Sequence, residues 1–243
     1  VSPFTNRLPR LEHYDGGHAS PTEGPRAFLW RSPSPSSPNR KRKLSKQKIA
    51  AARQSATRWR AARSKGSGVK IAVVQLVSSC DVETSLKRTA ELIKVARAAN
   101  VDAIFLPENF AALGHANILE VAKLEQDLAP IQTFLRESAV ESNCWIFAGT
   151  LPLLTRPDGS DVKARRVRAA SLVIDSSGMT VARYDKVHMF DVTVDDDHKN
   201  YLESQTFEHG DHLSVVDTPL GKVGLTVCYD VRFSELYLQL MNR

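Results

Sequence analysis

An α/β fold with a mixed sheet is predicted by three features of the sequence. Continuous apolar runs, "VKIAVVQLV" at 69–77 and "DAIFLPE" at 102–108, read as strands buried on both faces. Helical spacing of apolar residues separates and follows them. Later strands succeed one another without a helix, "RAASLVID" then "MTVARYDKV", and read as a pair.

The elements follow in chain order. Asp81 and Thr84 are candidate N-caps of a helix whose apolar stripe is Leu86, Ala90, Ile93 and Ala96 or Arg97. Pro107 stops the second strand. A helical stretch runs from about Ala116 to Glu141, interrupted near Pro130, and "CWIFAGTLPL" reads as a third strand. The hairpin strands turn at Ser177-Gly178, and a long polar loop covers His188 to Asp211. "LSVVDT" and "KVGLTVC" pair around a turn at Pro219-Leu220-Gly221. "FSELYLQLM" begins a helix whose Leu236 and Leu240 need a partner layer, so the domain is expected to be truncated at its C-terminal end.

Composition divides the chain in two. Residues 1–68 hold 15 of the 33 Lys+Arg and 3 of the 27 Asp+Glu, a net of +12, against −6 for the remainder. "RSPSPSSPNRKRKLSKQK" has too few apolar residues to offset its ordering entropy, so 1–68 reads as a disordered basic extension and 69–243 as the folded domain. Leu44 to Arg63 suits a transient helix. The extension has three readings: a solvated tail, a mitochondrial targeting segment, or a nucleic-acid or import patch at Arg40 to Lys43. Glu12, Asp15 and Glu23 count against the second, and the absence of aromatics at 40–48 against nucleic acid. Three cysteines, Cys80, Cys144 and Cys228, are odd in number and far apart, which suits a reducing compartment: the cytoplasm, with the mitochondrion as alternative. No apolar run approaches the roughly 18 residues that a membrane helix needs.

Three chemically capable residues end apolar strands: Glu108, Lys186 and Cys228. Strand C-termini are where α/β sheets bind ligands. Singly each has an ordinary explanation, as a solvated cap, a surface cation and a core thiol. Together they make a usable set. A carboxylate can take the thiol proton and return it to a leaving amine. An ammonium can stabilise the oxyanion. A cysteine opening a helix gains from unpaired N–H groups, which favour thiolate, and the N–H of Tyr229 would face the oxyanion.

"LPEN", "YDKVHMFD", "YLES" and "VGLTVCYDVRFSELY" resemble the nitrilase superfamily of carbon–nitrogen hydrolases from Val69 to the end, nearest its deaminated-glutathione amidase and omega-amidase groups. The resemblance implies an αββα sandwich, with Glu108 as general base, Lys186 as oxyanion stabiliser, Cys228 as nucleophile and Glu203 as a supporting glutamate. It implies hydrolysis of a terminal amide on a small carboxylate, no cofactor, and a homo-oligomer when the full domain is present. Ser234 stands where the family commonly has proline, losing a helix-N1 preference. Arg232 suits a substrate carboxylate or, equally, an ion pair with Asp230 or Glu235.

Other patterns fit less well. "DVTVDDDHKNYLE" fails the EF-hand template, with Asp196 or Leu202 where glycine or glutamate belongs. His188, His198, His209 and His212 match no zinc spacing, so no metal is expected. A Cys228–His188 pair would leave Glu108 and Lys186 unexplained. A different class stays open: a non-catalytic interaction protein tethered by its basic extension.

Overall fold

A computed structural model describes residues 68–114, 118–163, 165–193 and 200–243, and the backbone of 26–31. The expected features at 40–48 and 44–63, and His198, lie outside the described residues.

Asp81 opens the first helix, α1 (Val82–Ala98), its carboxylate accepting the Thr84 N–H at 2.7 Å. The buried face of α1 is Ser85, Thr89, Leu92, Ile93 and Ala96. That face is turned from the expected stripe, since Leu86 and Ala90 are only half-buried. Two hydroxyls make the turn possible: Thr89 donates to the Ser85 carbonyl at 2.8 Å, and Ser85 Oγ accepts the Ser79 N–H at 2.9 Å. The predicted break near Pro130 divides α2 (Ile118–Leu128) from α3 (Pro130–Ser142). Ala129 is left-handed with φ +48, and the buried Glu125 carboxylate caps α3 by accepting the N–H groups of Ile131 and Gln132.

A seven-stranded mixed sheet forms the centre. Its path runs β1 (Arg26–Arg31), β2 (Lys70–Gln75), β3 (Ala103–Phe105), β4 (Trp145–Phe147), β6 (Arg168–Ile174) and β5 (Leu151–Leu153), with β7 (Thr180–Asp185) also paired to β6. The β2–β3–β4 pairs are parallel; β1, β5 and β7 join antiparallel. β1 lies inside the extension read as unfolded. Its backbone pairs with β2, because "RAFLW" carries strand-forming Phe28 and Trp30 that the rest of that basic segment mostly lacks.

"CWIFAGTLPL" is two strands rather than one. Ile146 and Phe147 face Ile174 and Val173, while Leu151 to Leu153 face Ala170 to Arg168. Three residues, 148–150, therefore span what two span on β6, which is a β-bulge, and Gly149 takes φ +49 within it. The loop after His188 also contains more structure than expected: β8 (Asp191–Thr193) pairs with β9 (Asn200–Leu202), followed by a 3₁₀ turn at Glu203–Gln205. Three-residue strands carry too short an alternation to be read from sequence.

Helices α1 to α3 cover one face of the sheet over a core that includes Ile104, Ile131, Leu135 and Ile146, all fully buried. Truncating any of these to alanine costs about 2–5 kcal/mol. The other face packs Ala103, Trp145, Phe147, Val173 and Tyr184 against Val216, Leu225 and Val227. These last come from and follow a hairpin of β10 (Val215–Thr218) and β11 (Gly221–Gly224). Helix α4 (Ser234–Met241) lies beyond it, close enough that a Cβ on Gly224 would sit 3.2 Å from Leu240. The layers thus run helix, sheet, β-hairpin, helix, the order of an αββα sandwich.

Candidate active site

Lys186 follows β7 directly, with its N–H bonded to the Ala169 carbonyl at 3.0 Å and its carbonyl to Gly210 N–H at 2.7 Å. Only 1% of the residue is exposed. A buried ammonium costs several kcal/mol unless paired. Here two carboxylates pair it: Nζ lies 2.9 Å from Glu108 Oε1 and 2.7 and 3.0 Å from the two oxygens of Glu203. Burial alone would lower the Lys186 pKa, but the hydrogen bonds and charges of Glu203 and Glu108 outweigh it and the net direction is upward. Lys186 is a fixed cation.

A charged brace holds the strand before it. Glu208 receives Arg156 at 2.7 and 3.0 Å and Arg168 at 2.7 Å, and Arg183 grips Asp185 at 2.7 and 3.0 Å. The hydrogen bond from Arg156 holds the Glu208 carboxyl down at about 2, against the cost of burial and with Arg168 assisting. Arg168 Nε is buried without a hydrogen-bond partner, 3.7 Å from Asp185 Oδ2.

Cys228 is exposed and adopts φ +49, a left-handed backbone that residues other than Gly and Asn rarely take. The strand expected to end at the thiol stops at Gly224. Val227 is extended, and Cys228 opens a 3₁₀ turn, Cys228–Arg232, not an α-helix. Burial and the charge of Glu108 push the thiol pKa up, and Lys186 opposes this. The expected thiolate stabilisation is therefore absent at rest: a short 3₁₀ turn has a weak dipole, and a carboxylate faces the sulfur. The resting pair is a thiol and a carboxylate that share one cavity. Cys228, Glu108 and Gly149 line one cavity of about 300 Å³ with Phe105, Phe147 and Val227.

Sequence reasoning missed Asp230. It is fully buried and accepts four donors. Tyr184 Oη at 2.7 Å and Val227 N–H at 2.9 Å reach Oδ2; His188 N–H at 3.0 Å and His188 Nδ1 at 2.7 Å reach Oδ1. Tyr184 and His188 flank Lys186 by two residues on either side, and Val227 precedes Cys228. One carboxylate thus ties both stretches together and supports the strained cysteine. Burial and the Asp230 charge push the Tyr184 phenol up, keeping it a donor. The signal in the sequence was an acid two residues past the cysteine in an otherwise apolar setting.

The remaining candidates separate. His188 stacks on Phe233 at 3.6 Å and bonds Asp230, so the Cys228–His188 arrangement does not form. Tyr229 packs edge-on to Phe190 and Phe233, and its N–H lies in the first turn, where helical geometry offers no acceptor. Arg232 is exposed and makes no ion pair with Asp230 or Glu235. Among the described residues no group of three His, Cys, Asp or Glu could hold a metal ion, and no helix is long and apolar enough to cross a membrane. Among the described residues no cysteine forms a disulfide.

Comparison with known proteins adds the lineage. The family model "Carbon-nitrogen hydrolase" matches residues 70–243. The deaminated glutathione amidase of Yersinia enterocolitica is 36% identical over 170 residues, 70% of this chain and 57% of the relative. The omega-amidase NIT3 of Saccharomyces cerevisiae is 31% identical, over 69% of this chain and 57% of its own. In the crystal structure of the Caenorhabditis elegans NitFhit protein, 34% identical, the likeness covers 70% of this chain and 40% of that one with a TM-score of 0.60. The chain thus spans well under two thirds of the length of these relatives. With the family match running over every element from β2 to α4, and Glu108, Lys186, Glu203 and Cys228 gathered where the sheet meets the hairpin, the chain belongs to the carbon–nitrogen hydrolase family.

Proposed function

We propose that this protein hydrolyses the terminal amide of a small carboxylate-bearing substrate, deaminated glutathione or an omega-amide, by thiol acyl transfer. Support comes from one observation above all: the Glu108 carboxylate accepts the Lys186 ammonium at 2.9 Å and lines one cavity with the Cys228 thiol. In this reading Glu108 takes the thiol proton as sulfur attacks the amide carbon. Lys186 and the Tyr229 N–H stabilise the oxyanion. The tetrahedral intermediate collapses, the C–N bond breaks, and Glu108 gives its proton to departing ammonia. Water, deprotonated by Glu108, then cleaves the thioester, releasing the acid and restoring the thiol. Glu203 keeps Lys186 charged and aimed. A neutral resting thiol suits this scheme, because the base need only act during attack.

Arg232, exposed and without an ion-pair partner among the described residues, is the residue suited to a substrate carboxylate. The relatives named for deaminated glutathione and omega-amides favour those substrates. The odd number and wide spacing of the three cysteines favour a reducing compartment, the cytoplasm before the mitochondrion, and the family resemblance favours a homo-oligomer. The test is ammonia release from deaminated glutathione and α-ketoglutaramate. The parent should turn over at least one, and Cys228→Ala should lower the rate by several orders of magnitude. Equal rates in parent and variant would refute the proposal.

A further inference from the structure

We infer that the Ala148–Thr150 bulge is a built seat for the general base, and that Thr150 is a positioning residue acting through Glu108. The inference rests on the reading of Glu108 as the base of the Cys228 thiol.

The observations come from two elements that the sequence places 41 residues apart. Glu108 sits in a turn beyond β3, after Leu106 N–H bonds the Phe147 carbonyl at 2.9 Å in the last rung of the β3–β4 pairing. Past that rung β3 has no paired neighbour, and nothing in a regular ladder would hold the turn. The bulge supplies the hold. Gly149 comes so close to the turn that a Cβ there would lie 1.8 Å from the Pro107 carbonyl oxygen and 2.8 Å from that of Leu106. Only glycine permits that approach, and at φ +49 it also carries the backbone that the bulge needs.

Thr150 completes the seat. It is 1% exposed. Its Oγ1 accepts the Asn109 N–H at 2.9 Å, and its hydroxyl reaches Asn109 Oδ1 at 3.3 Å. Asn109 is itself left-handed, φ +53, so the peptide immediately after Glu108 is reversed and needs an acceptor that the sheet does not offer. The extra residue of the bulge is what brings the Thr150 hydroxyl to that N–H. With Pro107 blocked on one side by Gly149 and Asn109 tied on the other by Thr150, the backbone of Glu108 is clamped at both of its neighbours. The carboxylate then projects into the cavity shared by Gly149 and Cys228.

The experiment reads the pH dependence of Cys228 alkylation by iodoacetamide, which requires no substrate. Four proteins are compared: the parent, Glu108→Gln, Thr150→Val and Thr150→Ser, with Cys80 and Cys144 replaced by alanine in all. Glu108→Gln removes a charge that raises the thiol pKa, so its midpoint should move down. Thr150→Val keeps the shape but removes the acceptor. Its midpoint should move the same way, by at least half as much, and its kcat should fall more than tenfold with KM changed less than threefold. Thr150→Ser keeps the acceptor and should titrate as the parent does. A Thr150→Val midpoint equal to the parent's, beside a shifted Glu108→Gln, overturns the inference and leaves the base assignment standing. Equal shifts in the Val and Ser variants overturn it too, since the hydroxyl is then not the cause. An unshifted Glu108→Gln overturns the base assignment itself.

Discussion

Replacing Lys186 by methionine isolates the electrostatics of the site from its shape. Methionine fills the space of the lysine stem but leaves Glu108 and Glu203 facing one another. Each carboxylate has an oxygen within hydrogen-bond distance of Nζ, 2.9 and 2.7 Å, so the pair stays within about 6 Å. At about 6 Å and an effective dielectric near 20, two unit charges repel by about 3 kcal/mol. Removing one partner of a buried pair costs about 3–5 kcal/mol, which agrees. The destabilisation should depend on pH. Lys186 titrates above its ordinary value in the parent, so it stays charged at every pH from 4 to 8. In the variant, acid protonates one carboxylate and abolishes the repulsion, so the deficit shrinks as the pH falls toward the ordinary glutamate value of about 4.3. Urea unfolding followed by tryptophan fluorescence at pH 7.5 and 4.5 measures both deficits. The expected result is a loss of about 3–5 kcal/mol at pH 7.5 and at most about half of it at pH 4.5. A loss below about 1 kcal/mol, or one that does not change between the two pH values, would refute the reasoning.

Other outcomes follow from the same geometry. Tyr184→Phe removes one of four donors from the buried Asp230 and should lower stability by about 1–3 kcal/mol, read by thermal or urea unfolding. Cys228 alkylation should reach its midpoint above that of free cysteine, because burial and Glu108 both raise the thiol pKa; a midpoint below the free value would contradict the resting pair. Glu208, depressed to about 2, contributes stability that is present above the unfolded value near 4.5 and is lost as pH falls through 2. Glu208→Gln should therefore flatten the acid limb of a pH–stability curve. Gly149→Ala should unfold the protein or abolish activity, since its Cβ meets backbone rather than a flexible side chain.

How much of this the sequence carried depended on the length of each signal. The strand at 102–108, the break at Pro130 and the hairpin around Gly178 appear as predicted, because each is punctuated by a residue with one backbone preference; the run at 69–77 forms a strand, but only Ala72 and Val74 on one face are buried, with Val73 and Val77 exposed, so it is not buried on both faces. Glu108, Lys186 and Cys228 were legible as polar residues at apolar strand ends. The bulge was not: Ala148-Gly149-Thr150 sits inside an apolar run, and only the register against β6 exposes the extra residue. Asp230 was passed over as an ion-pair partner for Arg232, since three of its four donors, on Tyr184 and His188, come from a segment more than forty residues away and leave no local pattern. The direction of the Cys228 shift was misread for a related reason. A cysteine before a helical pattern suggests a stabilised thiolate, whereas a short 3₁₀ turn and a facing carboxylate do the opposite.

Mass spectrometry of an acid-quenched reaction tests the sulfur's role most directly. Incubated with α-ketoglutaramate, the protein should carry an adduct equal to the substrate minus ammonia, on the peptide that contains Cys228, and lose it to hydroxylamine. Ammonia release accompanied by no adduct at that thiol, or by an adduct at Cys80 or Cys144, would contradict the account.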